Sequence, residues 1–107
     1  MDNEIVKFSR VGTTLIARIC CEIDHNTAAR VRARIDRAIF LERPKTVCLN
    51  FGEVRCMDSS GIALILGRVE TSAAVGAKVH LDALSPTLYK LVMLSGIERV
   101  KNLTVSP

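Results

Sequence analysis

The stretch Thr46-Val47-Cys48-Leu49-Asn50-Phe51 constrains the fold most, a short apolar run rich in β-formers between Pro44 and Gly52. Such a run reads as a central buried strand. Upstream, Val6 to Ser9 and Leu15 to Cys21 read as an antiparallel hairpin with a loose loop, Arg10-Val11-Gly12-Thr13-Thr14, in which Gly12 is the turn residue. Asp24 to Thr27 is a polar cluster of helix-capping types. After it Ala28, Val31, Ile35, Ala38 and Ile39 recur at helical spacing, with Arg30, Arg34 and Arg37 on another side. Pro44 forces its predecessor out of the α region, so this helix ends before it.

Gly52 to Met57 then connects to a second helix starting near Ser59. Its expected core stripe is Ile62, Ile65, Leu66, Val69 and Ala73, and Gly76 is its stop. Lys78 to Asp82 is a further short strand. Ser85-Pro86, a capping hydroxyl before a first-turn proline, opens a third helix that buries Leu88, Leu91 and Val92 and stops at Gly96. Val100 to Val105 predicts a last strand or edge segment. The order predicts an α/β fold, one domain over residues 1–107, with a mixed four- to five-stranded sheet and helices packed on it. Right-handed crossovers make the later strands parallel neighbours. A chain of 107 residues has room for one core.

Several function classes lose ground at once. One Tyr, three Phe and no Trp give no stacking platform for single-stranded nucleic acid. A net charge of +4, with 11 acidic residues among 15 basic ones, is too dispersed for a nucleic-acid face. Cys20, Cys21, Cys48 and Cys56 form no CxxC pair, and His25 and His80 stand at no ligand spacing from them, so neither a metal nor a cofactor is expected. Cys20, Cys48 and Cys56 lie in or beside apolar runs, where a free thiol behaves as a small hydrophobe, and a reducing cytoplasm follows. No apolar stretch approaches the ~20 residues of a membrane span, and Met1-Asp2-Asn3-Glu4 is not a signal peptide.

The segment with chemistry is Asp58-Ser59-Ser60-Gly61, which opens an almost wholly apolar helix. A helix N-terminus has unpaired N–H groups and partial positive charge, and so tolerates an anion. Taken alone, the run fits an N-cap at Asp58 or Ser59, a phosphorylation site at Ser59, or both. Asp24 and Asp58 could make a carboxylate pair for acid–base work or Mg²⁺, but no third ligand converges in sequence. His25 beside Asp24 suggests a triad with Ser59, yet no G-x-S-x-G elbow surrounds it, so no enzyme is expected. Arg30, Arg32, Arg34, Arg37 and Arg43 make a basic side, either a solvated face or one that steers an acidic partner. Gly67 costs its helix about 1 kcal/mol relative to Ala, which suggests close approach of the sheet or of a partner's backbone. Met93 and Leu94 are candidates for an exposed apolar contact patch.

Glu22-Ile23-Asp24-His25-Asn26-Thr27-Ala28, Val47-Cys48-Leu49-Asn50-Phe51 and Cys56-Met57-Asp58-Ser59-Ser60-Gly61-Ile62-Ala63-Leu64-Ile65-Leu66-Gly67-Arg68 together resemble the STAS domain. Within that family the chain is similar to the anti-sigma-F factor antagonists of sporulating bacteria, with Leu84-Ser85-Pro86 and Leu94-Ser95-Gly96-Ile97 extending the likeness. Cys21 departs from the pattern, since relatives often carry Gly there. The resemblance implies an unphosphorylated form that binds an anti-sigma factor with serine kinase activity and so releases the sigma factor. It implies phosphorylation at Ser59, which breaks the complex, and a PP2C-type phosphatase that reverses it. Asp24, Asp58, Ser59, Ser60 and Gly61 are the partner-binding residues it implies. The alternatives are a nucleotide-binding domain, against which the missing Gly-x-x-x-x-Gly-Lys-Ser/Thr loop argues, and a STAS scaffold in a stress-signalling assembly.

Overall fold

Leu15, Ala17 and Ile19 are buried, while Thr14, Ile16 and Arg18 between them are more open. This period of two gives a strand with one face on a core. The computed structural model describes residues 5–106, so the reading of Met1 to Glu4 lies outside the described residues. The elements are β1 (Val6–Val11), β2 (Thr14–Ile19), α1 (Ala28–Glu42), β3 (Thr46–Asn50), α2 (Ser59–Ala73), β4 (Lys78–Asp82), α3 (Pro86–Ser95) and β5 (Leu103–Val105). A short 3-10 turn, Ile97–Arg99, precedes β5 and delays it past Val100.

The sheet runs β1-β2-β3-β4-β5 in space, with β1 antiparallel to β2 and every later pair parallel. Strands added always toward the same side, through right-handed crossovers, place every crossover helix on one face. That face holds the core, where Val47, Leu49, Val79 and Leu81 meet Val31 and Ile35 of α1, Leu64 and Ile65 of α2, and Leu88 and Val92 of α3. On the other face Ser9, Ile16, Cys48, His80 and Thr104 form one cross-strand row. The buried Cys48 thus belongs to the face opposite the helices, and desolvation raises its thiol pKa above the ordinary 9.0.

The hairpin is tighter than its five-residue loop suggested. The ladder reaches Val11↔Thr14, and Gly12, at φ +58°, makes the turn with Thr13. β3 stops at Asn50, one residue early, because the Asn50 side-chain oxygen accepts the Gly52 N–H at 2.9 Å and turns the chain. The helix stops follow the sequence. Arg43 takes the left-handed conformation (φ 48°) and donates its N–H to Ile39 O, and Gly96 does the same at φ 79° toward Met93 O. The Ser85 hydroxyl accepts the Leu88 N–H at 3.2 Å. In α3 the expected core residue Leu91 is only half-buried, and Leu88 and Val92 hold the inner face.

The largest correction is the facing of α2. Its buried side is Gly61, Leu64, Ile65, Arg68, Val69 and Ser72, whereas Ile62 and Leu66 are half-buried and Ala73 is exposed. The helix is turned so that Arg68, 4% exposed, points inward against α1. Its Nε lies 2.9 Å from Asp36 Oδ1. That contact is a close ion pair lacking hydrogen-bond alignment, since Nε, Nη1 and Asp36 Oδ1 have no hydrogen-bond partner among the described residues. Burial lowers the Arg68 pKa and Asp36 opposes this.

Candidate functional site

Beyond the carboxyl ends of β2 and β3 the two connecting segments meet once more. Ile23 N–H donates to Cys56 O at 3.3 Å and Asp58 N–H to Ile23 O at 3.2 Å, forming a parallel bridge Ile23↔Met57. Ile23 anchors the bridge in the core at 1% exposure. Asp24 and Asp58 each follow a bridge residue, so the structure brings together two acids that lie 34 positions apart.

Each segment is tied down by carboxylates. Glu22 accepts the Arg55 N–H at Oε1 (3.2 Å) and the Cys56 thiol at Oε2 (3.0 Å). Those bonds, the thiol's first, hold the Glu22 pKa below its ordinary 4.5. The thiol's bond to Glu22 also raises the Cys56 pKa above its ordinary 9.0. Cys56 is therefore a correction to the expected near-core thiol, being exposed on the loop as a donor to Glu22. Glu22 is the residue that sequence reasoning missed. The available signal was Ile23, an apolar residue between two acids in a polar loop, which needs an anchor on both sides.

Asp24 accepts the N–H groups of Asn26 (2.8 Å) and Thr27 (3.1 Å) on Oδ1, while Thr27 Oγ1 donates to Glu22 O at 2.8 Å. The Asn26 N–H, then that of Thr27, pulls the Asp24 pKa below the ordinary 3.8. The loop is held by the ionised form. Its contribution is complete above the ordinary value and is lost as pH falls through the lower, folded one. A carboxyl ¹³C titration of Asp24 is expected to have its midpoint below 3.8. A midpoint at or above that value would contradict these bonds. At neutral pH Asp24 therefore presents a fixed negative charge and stores no proton.

Asp58 is the N-cap of α2. Its Oδ1 accepts the Ser60 N–H at 2.7 Å and its carbonyl the Gly61 N–H at 2.9 Å. The cap left open between Asp58 and Ser59 thus belongs to Asp58, which leaves Ser59 at the first helical position, exposed. Ser60 is half-buried. Gly61, expected among the contact residues, is itself buried, and the group against it is Met57, whose Sδ would lie 2.5 Å from an added Cβ. Glycine at this position lets the Met57 side chain fold back against the first turn of α2.

Ser60 opens onto a groove between α1 and α2 with a cavity of about 350 Å³, bordered by Ala28, Ala29, Arg32, Ala63 and Gly67. A second cavity of about 390 Å³ lies between Phe8, Arg10 and Arg34, on the β1–β2 hairpin and the later part of α1. An Arg10–Glu42 ion pair of 3.0 Å stands at its edge. It touches none of the acids above. Among the described residues no three His, Cys, Asp or Glu side chains gather as a metal site, and no helix is long and apolar enough to cross a membrane.

The STAS domain family profile matches residues 5–106. The anti-sigma F factor antagonist of Lysinibacillus sphaericus is 37% identical over 84 residues, 78% of this chain and 72% of that one. The solved structure of the anti-sigma factor antagonist SpoIIAA in its unphosphorylated form matches with a TM-score of 0.76 at 32% identity, covering 95% of this chain and 88% of the other. SpoIIAA in the phosphorylated form, described as a Bacillus cell fate determinant, matches with a TM-score of 0.68 at 32% identity over 95% and 91% of the two chains.

Proposed function

This chain belongs to the STAS domain family, and from that premise we propose that it is an anti-sigma factor antagonist switched at Ser59. In its unphosphorylated form it binds an anti-sigma factor that is also a serine kinase, and the sigma factor is released. Phosphorylation of Ser59 ends that binding, and a PP2C-type phosphatase restores it. The chain acts by docking rather than by catalysis, in the cytoplasm, and needs no cofactor.

One observation carries this reading. Ser59 is exposed at the first position of α2, its hydroxyl not needed for the cap because Asp58 supplies it, and the Ile23↔Met57 bridge sets Asp24 close by. A kinase reaches such a hydroxyl without disturbing the fold. Asp24, Asp58, Ser59 and Ser60 form the contact face, and Gly61 shapes it from beneath through Met57. The relatives named as anti-sigma F factor antagonists support the choice of partner. The test is incubation with the cognate kinase and ATP, followed by site mapping by mass spectrometry. A single phosphate on Ser59 is the expected result, and its appearance elsewhere, with Ser59 unmodified, overturns the reading.

A further inference from the structure

α2 contains two glycines of opposite character. Gly61 is demanded by Met57, whereas a Cβ built on Gly67 meets nothing within 4 Å. Close approach of the sheet is thereby excluded as the reason for Gly67. The helix is weaker for a glycine at mid-length, and the space it leaves belongs to the α1–α2 groove. The floor of that groove is Arg68, whose side chain is 5% exposed and whose Nη1 has no hydrogen-bond partner among the described residues. Arg32 stands on its α1 wall, exposed and close enough to repel the Arg68 charge. Asp36 balances one of the two guanidinium groups, Glu70 acts more weakly, and His25 adds a donor at the end near Ser60. The groove is thus lined largely by small side chains, has two guanidinium groups with one carboxylate, that of Asp36, in contact with Arg68, and is continuous with the Ser59 face.

We propose that this groove receives an acidic segment of the partner, one carboxylate settling between Arg32 and Arg68 while the partner's backbone passes over Gly67. This rests on the reading of the chain as a switch that docks an anti-sigma factor, and it states where the partner is held beyond Ser59. Charge complementarity sets the orientation, and the missing side chain at residue 67 sets the distance of approach.

The experiment titrates the purified anti-sigma factor calorimetrically into unphosphorylated wild type, Arg32→Glu and Gly67→Leu. Arg32 is exposed and Gly67 is half-buried with nothing within 4 Å of an added Cβ, and each variant's melting temperature is measured alongside. Gly67→Leu is expected to melt at or above the wild type, since Leu is the better helix former. Each variant is expected to bind about tenfold or more weakly, as for a charge or packing contact near an interface centre. Wild-type-like affinity in both variants, where the wild type binds and Ser59→Asp does not, overturns the groove and leaves the Ser59 switch standing. Failure of the wild type to bind overturns both. If Gly67→Leu instead abolishes self-association of the free chain with partner affinity unchanged, the groove belongs to a second copy and the proposal falls.

Discussion

Replacing Ser59 by Asp is expected to weaken binding to the anti-sigma factor at least about a hundredfold, near 2.7 kcal/mol. The residue follows the N-cap carboxylate of Asp58, and the Ile23↔Met57 bridge brings the carboxylate of Asp24 to the same end of α2. A third carboxylate must be desolvated on docking beside the other two, and like charges forced together at an interface cost several kcal/mol. A phosphoryl group, with about −1.5 to −2 charges, exceeds that effect. The loss is not a loss of fold, because Asp at the first turn of a helix is favourable by about 0.3–1 kcal/mol. Ser59→Ala leaves the cap intact, since Asp58 makes it, and its stability should change by less than about 0.5 kcal/mol. Calorimetric titration of the three proteins at one ionic strength checks this. Affinity of Ser59→Asp within threefold of wild type would remove Ser59 as the switch.

Asp36→Ala is expected to cost about 2–3 kcal/mol of folding stability. Removing one partner of a buried ion pair costs about 3–5 kcal/mol by leaving an uncompensated charge, and the 34% exposure of Asp36 reduces that range here. Arg68 cannot escape to water, because it is enclosed on the inner side of α2. For a domain near this size the change corresponds to roughly 10–15 °C in Tm. The double variant Asp36→Ala with Arg68→Met should recover most of the loss, since an apolar chain of similar length then fills the space without a charge. Urea denaturation of the two variants decides. A double variant as unstable as the single one would locate the cost in helix packing rather than in the stranded guanidinium.

The strands and helix ends could be read from sequence because their determinants are local. Leu15, Ala17 and Ile19 alternate, Ser85-Pro86 caps α3, and Gly96 stops it. The facing of α2 could not, because a segment apolar nearly all round fits several stripes equally well. Its orientation is set from elsewhere in the chain, by Met57 against Gly61 and by Asp36 against Arg68, and a charged residue at mid-helix reads as solvent-facing until its partner is known. The site divides the same way. Asp58 as a cap follows from local spacing, but its meeting with Asp24 depends on the Ile23↔Met57 bridge between distant segments. Local spacing does not single out Ser59 for modification; family resemblance does. The geometry contributes its exposure and its freedom from capping duty.

The spatial order of the strands repeats their order along the chain, and this bears on how the molecule is made. Leu15 pairs with Val47 and Val47 with Val79, each step spanning 32 residues. No strand inserts between two already paired, so the sheet can grow one edge at a time as the chain leaves the ribosome. Loop-closure entropy rises only slowly with length, and three similar closures avoid the long one that would slow collapse. Asp24 and Asp58 both precede β4, so the Ile23↔Met57 bridge can form before the last third of the chain is synthesised. The half of the protein that presents Ser59 is therefore able to take shape first.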